Sequence, residues 1–133
     1  MSEAPIQTAA VSFRSVTKRY GPVAAVDAVS FDIAPATLVT LLGPSGCGKT
    51  TTLRLIAGLE HASEGRIQIG GADVTHLSAA DRDVSMVFQS YALFPHMTVM
   101  ENTCYGLRAS GLKKPEAEAR AAEKLALVGL TGY

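Results

Sequence analysis

Residues 43–50 read Gly43-Pro44-Ser45-Gly46-Cys47-Gly48-Lys49-Thr50, which satisfies the spacing G-x-x-x-x-G-K-[ST] in full. These residue types in this order suit the binding of a phosphate chain. Gly43, Gly46 and Gly48 let a loop close into a ring whose backbone N–H groups face inward as an anion nest. Pro44 and Ser45 lie in the same ring. A helix beginning near Lys49 adds unpaired N–H donors and the positive end of its dipole. Lys49 brings a mobile positive charge to the β- and γ-phosphates. Thr50 offers a hydroxyl to Mg²⁺, and Thr51 offers one towards the α-phosphate. Cys47 contributes its backbone N–H, and its thiol is incidental. The competing reading is a glycine-rich turn of no function. It is answered by context, because the octet sits between a predicted strand and a predicted helix.

Those neighbouring elements follow from hydrophobic periodicity. Residues 38–42, Leu-Val-Thr-Leu-Leu, are apolar at nearly every position, which predicts a strand buried on both faces. Beyond the octet, Leu53, Ile56 and Ala57 recur at helical spacing, and Gly58 is placed to end the helix. Upstream, residues 11–16 alternate Val11 and Phe13 against Ser12 and Arg14. Residues 29–33 alternate Val29, Phe31 and Ile33 against Ser30 and Asp32. With a turn at Gly21 and Pro22, they predict an antiparallel pair with one wet face. A short strand places Ile67 and Ile69 on one face and ends in a glycine turn. A second buried strand is predicted over 84–88, stopping at Gln89. An irregular loop around Pro95 follows, then a helix from about Thr98, where Glu101 closes a capping box. A last helix starts at Pro115, carries acids in its first turn and stops at Gly129. Residues 1–10 read as a loose leader, and 11–133 as part of one domain.

Composition excludes several classes. Twelve Lys plus Arg balance twelve Asp plus Glu, which gives no electrostatic argument for nucleic acid or an anionic membrane surface as partner, and no nucleic acid is expected. Cys47 and Cys104 fit neither a disulfide framework nor a zinc set, and suit a reduced cytosolic setting. The three histidines, His61, His76 and His96, lack metal-ligand spacing. The N-terminus lacks the pattern of a signal peptide. No apolar run approaches the length of a membrane span, so membrane contact is expected through a partner.

Two further residues acquire meaning from their position. Tyr20, in Lys-Arg-Tyr-Gly ahead of the octet, reads by itself either as a strand-end tyrosine in the core or as an exposed aromatic able to stack on a purine. Gln89, directly after the second apolar run, reads by itself as a polar residue ending a strand. Taken with the octet, the Gly65 to Gly71 strand and the 84–107 stretch, they make the chain resemble the ATP-binding subunits of ABC transporters from about Val11 onward. More narrowly, it resembles importer subunits for sugars, polyamines, iron, sulfate and phosphonates. The resemblance implies an α/β fold: part of a P-loop NTPase core, an antiparallel β subdomain and the start of a helical subdomain. It implies Tyr20 as the adenine-stacking residue, with Ala25 lining the base, and Gly43 to Thr51 as the holder of ATP and Mg²⁺. Gln89 would position Mg²⁺ and the attacking water, and residues 90–97 would receive a coupling helix.

The implied partners are an integral-membrane permease, a second ATP-binding subunit and, indirectly, a periplasmic or lipid-anchored solute-binding protein. The implied location is the inner face of the cell membrane. Family members carry a signature motif, a Walker B aspartate with a catalytic glutamate and a switch histidine. None of these occurs here, so the chain is expected to be an N-terminal portion that does not catalyse hydrolysis alone. Both apolar runs would then expose unpaired edges. Two other readings stay open: a non-catalytic nucleotide-binding remnant, and a P-loop kinase acting on a small molecule.

Overall fold

A β-hairpin organises the first half of the chain. The computed structural model describes residues 9–132, so the expected leader lies outside it except for Ala9 and Ala10. The chain divides into two units, Met1–Met86 and Val87–Tyr133. In the first, β1 (Val11–Tyr20) and β2 (Val23–Ile33) pair antiparallel, from Val11 opposite Ile33 to Tyr20 opposite Val23. Gly21 and Pro22 make the turn, as the sequence predicts. β3 (Glu64–Ile69) lies on the other side of β1, and the short β4 (Ala72–Asp73) follows it, giving the order β2-β1-β3-β4.

The alternation sorts side chains as expected, with one exception. Phe13, Val16, Val26 and Ile67 are buried beneath the sheet with Val74 and Leu55. Phe13 stacks on Phe31 at 4.6 Å between ring centroids. Leu55 belongs to the helix α1 (Lys49–Ala57) and seats it against that core. The exception is Ser12, which is buried and donates its hydroxyl to Asp32 at 2.7 Å. That bond, followed by Arg14, holds the Asp32 carboxyl below its ordinary value. Irregularities in the β1–β2 ladder coincide with left-handed backbone at Ser15 and Ala28. Their N–H groups are satisfied by the hydroxyls of Ser30 and Thr17, as the accounting of backbone donors requires.

The second unit pairs α2 (Val99–Ala109) with α3 (Lys114–Leu127). Cys104, Ala117 and Ala121 form its buried centre, with Met100, Leu107 and Leu112 packed around them. Small side chains on α3 let the two helices approach. The capping box at α2 is complete: Glu101 N–H donates to Thr98 Oγ1 at 3.2 Å, and Thr98 N–H donates to Glu101 Oε2 at 2.8 Å. Asn102 binds the preceding loop, donating to the carbonyls of Phe94, Met97 and Thr98 and accepting from Phe94 N–H. Pro115 opens α3, as expected.

Two predicted strands are absent. Residues 38–42 and 84–88 carry no strand pairing, and Leu38 and Leu42 are 95% and 96% exposed. Val87 is 83% exposed. A strand is a property of a pair, since its N–H and C=O groups need a ladder opposite them. Among the described residues no segment pairs with either run, and apolar composition alone does not supply one.

The capping box has a measurable pH signature. The Thr98 backbone and hydroxyl bonds hold the Glu101 carboxyl below its ordinary 4.5. Its contribution to α2 is therefore present in full above pH 4.5 and is lost as pH falls through the lowered value. Thr98→Ala should destabilise the first turn of α2 by about 1 kcal/mol near neutrality, read from amide exchange of Met100 to Asn102. The gap between parent and variant should narrow as the pH drops below 4.5.

Candidate functional site

The octet leads into the N-terminus of α1, where Gly48 is the N-cap with φ 90°. No side chain caps this end, and its first turn holds no acidic residue. The first-turn N–H groups of a helix have no acceptor within it, so this end offers donors and a positive dipole to an anion. Thr52 is turned away from it, its hydroxyl donating to Gly48 O at 3.0 Å. Thr50 is exposed and Thr51 half-buried. Lys49 curls back over the loop, its Nζ donating to Gly43 O at 2.7 Å and Pro44 O at 2.6 Å, with Cys47 Sγ at 3.4 Å. The ammonium thus joins the two ends of the ring, with Ser45 and Gly46 in the turn at its tip. Its partners are neutral carbonyls and a sulfur, and among the described residues no carboxylate lies within ion-pair distance of it.

The loop is fixed in place by a close approach to the hairpin. A Cβ at Gly48 would lie 2.3 Å from Ala25 O and 3.4 Å from Val26 Cγ2. Backbone therefore packs on backbone, and only glycine permits it. This contact brings Ala25 beside the loop, at the end of the hairpin that carries Tyr20. Tyr20 ends β1 and remains 45% exposed. Lys18 Nζ lies 5.0 Å from the centroid of its ring, close enough for a cation–π attraction. The same ammonium pairs with Glu60 at 2.9 Å and donates to His61 O. Lys18 first, and then Tyr20, hold the Glu60 carboxyl below its ordinary value.

Gln89 belongs to the second unit, where it is exposed at the start of the turn closed by Tyr91 N–H to Phe88 O at 2.9 Å. It follows an irregular segment and not the predicted strand. In the loop beyond it, Phe94 packs against Tyr105 at 4.5 Å between centroids. Leu93, Phe94, Pro95 and Met97 line an apolar hollow of about 420 Å³ with Val99 and Leu125.

Two features escaped the sequence reading. The contact between Gly48 and Ala25 joins positions far apart in sequence and leaves no local mark. Arg82, in Asp-Arg-Asp-Val, has the look of a solvated loop charge, yet it is 6% exposed and bound to helix α1.

Comparisons with known proteins bear on the family and the fold. The ABC transporter family model matches residues 26–133. The Fe(3+) ions import ATP-binding protein FbpC of Brucella abortus (strain 2308) is 65% identical over 127 residues, 96% of this chain and 36% of that protein. Its Escherichia coli (strain K12) namesake is 56% identical over 123 residues, 92% of this chain and 35% of that protein. The chain thus spans about a third of the length of these relatives. Among solved structures, the ATP-binding cassette MJ0796, in a dimeric post-hydrolysis state bound to ADP and Pi, superposes with a TM-score of 0.79 at 28% identity. That match covers 92% of this chain and 58% of the other. The fold is accordingly that of a partial P-loop NTPase cassette, with an antiparallel sheet and few helices.

The glycines of the loop should differ in what they tolerate. Gly46, at φ 80°, has open space where a Cβ would go, so Gly46→Ala pays only for left-handed backbone, about 1 kcal/mol. Gly48→Ala adds the collision with Ala25 O and should cost at least about 3 kcal/mol. Urea unfolding of the two variants beside the parent checks the order.

Proposed function

The chain belongs to the ABC transporter family, and from that premise we propose that it is the nucleotide-binding part of the energy-coupling subunit of an ATP-driven importer. The observation that carries this reading is the glycine loop at an acid-free helix end, crossed by a lysine bound only to its own loop's carbonyls and thiol. The donor set fits ATP with Mg²⁺. Backbone N–H groups from Gly43 to Thr51, including those of Ser45, Gly46, Cys47 and Gly48, would hold the phosphates, while Pro44, which has no N–H, would shape the ring. Lys49 would exchange its neutral carbonyl partners for charged phosphate oxygens, a charge-assisted gain. Thr50 supplies a hydroxyl to Mg²⁺ and Thr51 one to the phosphate chain. Tyr20 would stack on adenine, a contact worth about 1–3 kcal/mol; for Gln89, which belongs to the second unit, the family resemblance implies a role toward Mg²⁺ and water.

When bound, ATP supplies the free energy of transport by hydrolysis. The residues of this chain bind and orient it. The names of the relatives point to ferric iron as the solute, and their share of identity supports carrying that over. A second copy of the ATP-binding subunit and a permease complete the reading, with a solute-binding protein delivering to the permease. No helix among the described residues is long and apolar enough to cross a membrane. In this reading the subunit attaches at the inner face through the permease, for which the loop 90–97 supplies the docking hollow.

Lys49→Ala should weaken Mg-ATP binding about 10–100-fold while leaving the far-UV circular dichroism spectrum unchanged. Titration with a fluorescent Mg-ATP analogue reads the affinity. Equal binding by parent and variant would overturn the assignment.

A further inference from the structure

Arg82 is the only buried charged side chain among the described residues, at 6% exposure. Arg82 has no task in the proposed nucleotide binding. Its guanidinium makes four hydrogen bonds, all to backbone carbonyls. Nη1 donates to Leu55 O at 2.6 Å and Ile56 O at 2.9 Å, and Nε and Nη2 donate to Leu77 O at 3.1 and 2.9 Å. No carboxylate lies within ion-pair distance among the described residues. Burying a cation without a counter-ion is costly, and burial lowers its pKa, yet arginine stays charged. What offsets the cost is the C-terminus of α1, whose last carbonyls lack N–H donors within the helix and carry the negative end of its dipole.

The neighbouring glycine fits the same arrangement. Gly58 ends α1 at φ 75°, with its N–H returning to Leu55 O at 3.4 Å. A Cβ there would stand 2.6 Å from Arg82 Nε and 2.9 Å from Ala79 N. Any side chain at 58 would push the guanidinium off the helix end. Gly58 and Arg82 are therefore one device: the glycine ends the helix and leaves room for the cation that binds its carbonyls.

The other end of this same nine-residue helix is the phosphate site. A helix so short is marginal by itself, and whatever fixes its C-terminus fixes the direction in which its N-terminus points. We propose that Arg82 is a positioning residue for nucleotide binding: its grip on the carbonyls of Leu55 and Ile56 holds the axis of α1, so that Gly48 to Thr51 meet the phosphates in register. The proposal rests on the nucleotide reading of the loop, and Arg82 itself touches no ligand.

The test uses the full chain and compares the parent with Arg82→Gln, Arg82→Lys and Lys49→Ala. Affinity is read with a fluorescent Mg-ATP analogue, helix order by amide exchange over residues 52–57, and overall fold by circular dichroism. Arg82→Gln should bind about tenfold more weakly and exchange faster along α1. Arg82→Lys, which keeps the charge but not the planar fork, should recover part of this, ending about threefold weaker than the parent. Millimolar guanidinium ion should restore part of the affinity lost in Arg82→Gln. Lys49→Ala should lose affinity without faster exchange, which separates a ligand from a positioning residue. Parental affinity in a folded Arg82→Gln would overturn the proposal and leave the nucleotide reading standing. A parent that does not bind Mg-ATP would overturn both. Should Arg82→Gln not fold, Arg82→Lys decides, and parental affinity with parental exchange in that variant would overturn the proposal.

Discussion

A helix of nine residues does not persist in water through its own hydrogen bonds. The site depends on that constraint, because the end proposed to bind phosphate is the first turn of just such a helix. α1 is held at three places. Leu55 sinks one face into the core under the sheet. Gly48 lets its N-terminus lean on the Ala25 carbonyl of β2. Arg82 binds the carbonyls at its far end. The donors of the first turn are left uncapped, and this is tolerable because the rest of the helix is so firmly seated.

The hairpin has a second role besides support. Its turn end carries Tyr20, and its second strand carries Ala25, so the aromatic and the loop are fixed to one rigid element. Lys18 ties that end to Glu60 and His61, just beyond α1. A single lysine thus connects the ring of Tyr20 to the chain leaving the helix. The pair is half-buried, its side chains 15% and 24% exposed, and a single ion pair that loses hydration in this way adds little net stability by itself. Its value lies in orientation, since it holds the strand end and the helix exit together at the side of the site.

Much of this was legible in the sequence because the signals are local. The Gly21–Pro22 turn, the alternation in β1 and β2, the stop at Gly58, the Thr98–Glu101 box and the opening of α3 at Pro115 each depend on residues within one turn or one strand. The octet was legible for the same reason. What failed is non-local. Residues 38–42 and 84–88 have the composition of buried strands, but a strand needs a paired neighbour, and composition cannot state whether one is present. The contact of Gly48 with Ala25 and the reach of Arg82 to Leu55 join positions 23 and 27 apart, so no periodicity announces them. Arg82 reads as a surface charge until its burial is seen.

The central claim is that the uncapped amides around the start of α1 are the phosphate-binding groups. The most direct measurement is a ¹H–¹⁵N correlation spectrum of the labelled chain recorded before and after addition of Mg-ADP. Large amide shifts are expected at Gly46 to Thr51, with smaller ones at Ala25 and Val26 beneath the loop. Shifts centred on another part of the chain, with the Gly46 to Thr51 amides unmoved at saturation, would contradict it.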